Sequence, residues 1–281
     1  MGSFRKHDLD SGLSRVGINF IHGKTRKGHF NVLRVDGVYY DQPRLHSNRA
    51  IAKSIVEHDL VIFQSEFSRN FSELMLKVRP KRSCVIHNGT SMNPSGLPFR
   101  RSNKIVASAR WRINKRPRAI AAAFVLAKHR LDPDMELIFV GDVPQESRIM
   151  DSSIRYLGSL GHEKMRDLYE ECGLMIHICH IDSCPNSVVE GLRMGMPVLS
   201  NNIGGTPEIV GKSGLVINID SPFDGRPLMS MSQVGDDSVD IELLADGIVQ
   251  AWESRRFEER MDLTIDNCAR KYIQEIRNAM G

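Results

Sequence analysis

Apolar residues along the chain fall into short runs, each followed by a stretch where they recur at helical spacing. The runs "VGINFI", "NVLRV", "LVIFQS" and "SCVIHN" read as strands, with helices over 48–58 and 68–78. The alternation stops at "NGTSMNPSGLPFRRSN", residues 88–103, where Gly, Pro, Ser and Asn concentrate as in a linker. It resumes with strands at "KIVASA", "ELIFVGD", "IRYLG", "LMIHIC", "PVLS" and "GLVIN", and with helices over 118–129, 163–172 and from about Asn186. The segment "DSPFDGRPLMSMSQVGDDS" reads as a polar loop, and two terminal helices are expected over 241–253 and 258–278. Strand–helix alternation of this kind predicts α/β architecture with mainly parallel sheets. The six strands after the break are enough for a complete doubly wound domain.

Composition narrows the class. A chain of 281 residues with 41% apolar content can bury two modest cores. No apolar run is long enough to span a bilayer, and the start "MGSFRKHDLDSG" has no apolar signal core. The five cysteines are odd in number and form no C-x-x-C pair, which fits reduced thiols in a cytoplasmic protein. "HICHIDSC" hints at a metal. However, His177 and Cys179 would share one strand face while His180 points to the other, so structural thiols are the favoured reading.

The net charge of +4 hides a division: the first 130 residues carry 25 Lys+Arg against 8 Asp+Glu, and the remaining 151 carry 13 against 26. A front half that positive attracts phosphates or an anionic membrane surface, unless the acidic half offsets it. Aromatic residues are sparse there and no RNA-recognition motif occurs, which argues against nucleic acid.

Candidate chemistry concentrates in "DSCPNSVVEGLRMGMPVLSNNIGGTPEIV", residues 182–210. Part of this stretch is an ordinary buried helix and strand, but Asp182, Asn186, Ser187, Glu190, Gly204, Gly205 and Thr206 are not explained by packing. In a parallel sheet they reach the carboxyl edge together with Arg110, Lys115, Gly141 and Asp142, so all can face one ligand. Arg110 and Lys115 suit a diphosphate, and a helix starting near Asn186 offers it free N–H groups and a positive dipole end. Glu190, in the first turns of that helix, can accept two hydrogen bonds from a vicinal diol such as ribose. The glycine pair lets backbone approach a ligand closely.

These residues resemble the nucleotide-sugar signature of retaining glycosyltransferases of family four (glycosyl transferases group 1). Glu190 matches its second Glu, "GMPVLS" the following strand and "GGTPEIV" the Gly-Gly-x-x-Glu turn. "ARWRINKRP" is similar to the family's Arg-x-x-x-x-Lys loop, "ELIFVGDVP" to its VGDGP strand, and "CVIHNGT" to the segment closing its first domain. The resemblance covers residues from about 30 to 255.

The resemblance implies a GT-B-like α/β fold of two Rossmann-type domains with parallel sheets. A reduced acceptor-side domain is expected over 1–95, a nucleotide-sugar-binding domain over 96–255, and a helix over 256–281 that packs back on the first domain. It also implies a hexosyltransferase-type enzyme of carbohydrate biosynthesis that retains anomeric configuration and needs no metal or other cofactor. Glu190 would hold the ribose, Arg110 and Lys115 the diphosphate, and Asp182 the donor sugar. The acceptor would be a glycan, a lipid-linked sugar or a small molecule, and the location cytoplasmic, with room for peripheral contact with a membrane.

The chain departs from the family at Asp182, which replaces a Glu, and at Pro185, which replaces a common Gly. Asp36 falls where the family often has His, in "NVLRVDGVYYD", so it is a candidate catalytic residue with different proton chemistry. His22 and His29 read as surface residues. Two further readings stay open: a non-catalytic GT-B-like protein that binds anionic partners through its basic half, and a GT-B epimerase.

Overall fold

The computed structural model describes Leu13 and residues 15–95, 102–258 and 260–281. Two parallel sheets form two α/β domains. The first has the order β1 (Val16–Phe20), β2 (Phe30–Val35), β3 (Leu60–Phe63), β4 (Ser83–Val85), and all its pairings are parallel. Its central strands β2 and β3 are largely buried on both sides. Val32, Leu60 and Ile62 face α8 (Ile265–Met280) through Cys268, Tyr272 and Ile276, while Leu33, Val35, Val61 and Phe63 face Ile51 and Ile55 of α1 (Asn48–Glu57). Parallel strands covered on both faces read as continuous apolar runs, which is why "LVIF" carries no alternation.

The second sheet has six parallel strands in the order β10 (Gly214–Ile217), β9 (Val198–Asn201), β8 (Leu174–His177), β5 (Lys104–Ser108), β6 (Glu136–Val140), β7 (Ile154–Tyr156). Counted within the domain this is a doubly wound sheet whose winding reverses between β5 and β8. One face packs on α3 (Pro117–Lys128) and α7 (Ile241–Ser254), the other on α4 (His162–Glu171), α5 (Asn186–Arg193) and α6 (Thr206–Val210). Loops after β5 and β8 therefore diverge at the reversal and leave a crevice at the carboxyl edge, where ligands of such sheets bind.

One expectation needs correction, and two gain detail. The last helix begins at Ile265, not Glu258, because a 3-10 turn over Met261–Leu263 precedes it and the Thr264 hydroxyl caps it by accepting the Asn267 N–H at 3.3 Å. The expected linker is anchored over its first part: Thr90 bridges Thr264, and Met92 is buried in the second domain's core. Residues 96–101 of it lie outside the described residues. The polar loop after Asp220 packs on the first domain. Leu228 exchanges backbone hydrogen bonds of 2.8 Å with Tyr40 and Gln42, and Phe223 packs edge-on against Phe71 with ring centres 5.1 Å apart.

That loop helps join the domains. Tyr40, Phe67 and Phe71 of the first meet Ile181, Ile203, Phe223 and Leu228 of the second in one apolar cluster. The end of β2 and the loop after β8 are thereby held face to face. No helix among the described residues is long and apolar enough to cross a membrane.

Candidate functional site

The loop after β5 and the loop after β6 enclose a cavity of about 550 Å³ lined by Ser108, Arg110, Trp111, Gly141, Asp142, Ser159 and Leu160. Its size suits a small-molecule site. Gly141 has φ 98°, and a side chain there would strike the Ala109 carbonyl, so only glycine lets the two loops close. The Trp111 indole donates to the Val140 carbonyl at 2.8 Å and fixes one wall. Arg110 is exposed at the rim, and Asp142 accepts from Ser159 at 3.3 Å.

The loop after β8 carries the second group. Lys115 is ion-paired with Asp182, and His177 Nε2 lies 3.8 Å from the same carboxylate. Burial alone would raise the Asp182 pKa, but the Lys115 ammonium and the hydrogen bonds from Lys115 and the Cys184 backbone more than cancel it and hold the carboxyl below its ordinary value. Burial works the other way on Lys115, and Cys179 with Asp182 overrides it, so the ammonium is kept charged. Burial and the neighbouring Lys115 push His177 down to about 3, so its imidazole is neutral. Ligating atoms of His177, Cys179 and Asp182 lie within 4.8 Å of one another, a potential metal cluster. Lys115 already supplies the cation to this group.

Asn186, Ser187 and Glu190 lie on α5. Pro185 precedes the helix, and no side chain caps it; the N–H groups of Asn186 and Ser187 have no hydrogen-bond partner among the described residues. Asn186 Oδ1 accepts from Asn88 of the first domain at 2.8 Å. The Glu190 carboxylate is half-buried, makes no hydrogen bond among the described residues, and burial raises its pKa. It acts electrostatically on buried Tyr169, which also adjoins Ser108 of the cavity.

Gly204 and Gly205 come close to backbone of this chain. The Gly205 N–H donates to the Asp182 carbonyl at 2.7 Å, so it is not available to a ligand. A side chain at Gly204, whose φ is 95°, would meet the Asp182 backbone, and one at Gly205 would run into the Ser183 carbonyl and the Ser65 side chain. The pair thus seats the Asp182–Ser183 loop. Thr206 is buried, and its hydroxyl has no partner among the described residues.

Asp36 follows β2, and the next residue adjoins this group from the first domain: a Cβ on Gly37 would stand 3.3 Å from Ser183 Oγ. Asp36 accepts from Gln64 at 2.7 Å and pairs with Arg34 at 3.0 Å, yet burial outweighs both and raises its pKa.

Sequence reasoning gave no role to two interactions that hold the site. Arg116, fully buried, makes a bidentate pair with Asp220 at 2.5 and 2.9 Å, and Asp220 also accepts from Asn201 at 2.5 Å and faces His180 Nδ1 at 3.2 Å. The network ties the loop after β5 to the loops after β8 and β10. Glu208, the last acid of the Gly-Gly motif, accepts the N–H groups of Glu66 and Phe67 at the start of α2 (Glu66–Leu76) at 2.9–3.3 Å, and bonds His87 Nε2 at 2.7 Å. It caps a helix of the other domain. The motif names Glu208, but only the fold shows what it touches.

Residues 102–224 match the family described as "Glycosyl transferases group 1". Among curated proteins, the phosphatidylinositol N-acetylglucosaminyltransferase gpi3 subunit of Schizosaccharomyces pombe is 24% identical over 61% of this chain and 40% of its own length. A human phosphatidylinositol N-acetylglucosaminyltransferase subunit is 22% identical over 64% of this chain and 39% of its own. The chain thus spans about two fifths of the length of these relatives. Among solved structures, sucrose-phosphate synthase from Thermosynechococcus elongatus superposes with a TM-score of 0.59 at 18% identity, covering 90% of this chain and 68% of that one. HepE from Anabaena in complex with UDP and glucose does so with 0.59 at 16% identity, covering 89% and 72%. The chain has a GT-B-like fold, and its residues 102–224 match the glycosyl transferases group 1 family.

Proposed function

We propose that the chain binds a nucleoside-diphosphate sugar at the carboxyl edge of its second sheet and transfers the sugar with retention of configuration, without a metal. The observation that carries this reading is the convergence, at the winding reversal, of a cavity of about 550 Å³, the uncapped start of α5 and the Lys115–Asp182 pair. The nucleoside enters the cavity beside Trp111, and Glu190 accepts its ribose hydroxyls, so a carboxylate buried without partners gains two. The diphosphate lies against the Asn186 and Ser187 N–H groups and Arg110, while Lys115 turns part of its charge from Asp182 to a phosphate oxygen.

When the bond from the anomeric carbon to phosphate oxygen breaks, charge develops on that oxygen, where these donors are already directed. The acceptor hydroxyl attacks from the face the phosphate leaves and passes its proton to the departing oxygen. Asp182 is a weak base and a weak nucleophile while Lys115 holds it, which supports displacement without a glycosyl-aspartate intermediate. Asp36, next to the Gly37 backbone that meets Ser183, positions the acceptor.

The names of the curated relatives support N-acetylglucosamine as the sugar and phosphatidylinositol as the acceptor class. The test is incubation with UDP-N-acetylglucosamine, which has an α-linked sugar, and phosphatidylinositol vesicles, followed by NMR of the product's anomeric proton. An α-linked product is expected. A β-linked product rejects retention, and the absence of any transfer across a panel of donors and acceptors rejects the activity.

A further inference from the structure

A separate surface lies at the free edge of the first sheet. Ile18, Phe20 and Ile21, at the carboxyl end of edge strand β1, are 38%, 47% and 40% exposed. Ile21 has φ 67°, and the His22 N–H donates to the Phe20 carbonyl at 2.7 Å, closing a three-residue γ-turn around it. A β-branched residue is strained in that region, and glycine would relieve it, so an isoleucine held there and exposed to solvent brings neither packing nor backbone ease.

The chain after Ile21 turns back along the other side of the strand. The Asn19 amide donates to the Lys24 carbonyl at 3.1 Å, and the Arg26 side chain lies over Gly17. Lys24, Arg26 and Lys27 are exposed there. From residue 13 to 35 the sequence has five Lys or Arg and no Asp or Glu. Apolar groups on one side of an edge and basic groups on the other match an anionic bilayer, in which the apolar tip enters the acyl boundary and the cations meet headgroup phosphates. Like charge opposes pairing of this edge with a second copy, and one aromatic among the three apolar groups offers nucleic acid little to stack on.

We infer that the carboxyl end of β1 and the loop after it, with Ile18, Phe20, Ile21, Lys24, Arg26 and Lys27, dock the protein on an anionic membrane. The surface adjoins the cleft: Arg34, paired with Asp36 at 3.0 Å, lies over the Phe20 ring at 5.7 Å. Docking would therefore set the acceptor side of the site toward the bilayer. This goes beyond the proposed transferase activity and is measured without any donor.

The experiment is sedimentation of the full chain with vesicles of phosphatidylcholine alone or mixed with phosphatidylserine. Binding to the mixed vesicles that weakens with salt is expected. Lys24→Gln with Lys27→Gln should lower partitioning about 25-fold, about five-fold for each charge. Ile21→Gly should lower it about ten-fold, while its thermal midpoint stays unchanged or rises because the turn is relieved. Equal binding to both vesicle types, or variants that partition like wild type, would overturn the inference. So would an oligonucleotide bound more tightly than vesicles with no effect of Ile21→Gly, or a dimer that this substitution dissolves.

Discussion

Glu190→Gln separates what the residue does for the fold from what it does for the ligand. Burial raises the Glu190 pKa above its ordinary value, and the carboxylate has no hydrogen bond among the described residues to offset this. Between the unfolded and the raised folded pKa, the folded protein binds more protons than the unfolded one. Stability therefore falls as pH rises through that window, and at neutral pH the charge is a cost. Gln keeps the shape and removes the charge, so the unliganded variant should be as stable as wild type or more so near pH 7, with a flatter stability profile across the carboxylate range. Donor binding should move the other way. Two charge-assisted hydrogen bonds to ribose become neutral ones, each weaker by about 1 kcal/mol, for a total of about 2 kcal/mol or roughly thirty-fold in Kd. The assay pairs urea denaturation over a range of pH with calorimetric titration of UDP and UDP-N-acetylglucosamine. A variant that is destabilised yet binds donor like wild type would refute the reasoning, because Glu190 would then be a structural residue.

Two further substitutions test the supports of the site. Asp220→Ala leaves Arg116 buried and charged without its partner, which should cost about 3–5 kcal/mol in urea unfolding; a loss below about 1 kcal/mol would mean that solvent reaches the guanidinium. Glu208 has a folded pKa below its ordinary value, through His87 and the start of α2 acting against burial, so its stabilisation is present above the ordinary carboxylate range and fades as pH falls through the folded value. Glu208→Gln should lower stability by about 1–2 kcal/mol at neutral pH, flatten the acid limb, and speed backbone exchange at Glu66 and Phe67; unchanged exchange there would show that the cap does not join the domains.

The carboxyl-edge loops were legible in the sequence because their signals are local. Apolar runs mark the ten strands found among the described residues, and glycines such as Gly141 mark loops that come close to other backbone. Contacts between distant segments were not legible. Arg116 sits in a basic run that reads as solvated surface, and Asp220 opens a loop that reads as polar, yet each is the other's buried partner 104 residues away. The glycine pair reads as a close approach to a ligand or to backbone alike, because a missing Cβ looks the same whether a ligand or the Asp182–Ser183 backbone fills the space. Likewise the sequence points Lys115 to phosphate and Asp182 to sugar separately, and only the folded loops show that they hold each other.

The central claim is that a nucleotide sugar lies across the loops after β5, β6 and β8 and the start of α5. Hydrogen–deuterium exchange with and without saturating UDP-N-acetylglucosamine tests it most directly, since the Asn186 and Ser187 N–H groups have no partner among the described residues. The account predicts protection confined to peptides spanning 108–116, 141–143 and 182–191. Protection elsewhere with these peptides unchanged, under conditions where binding is complete, would contradict it.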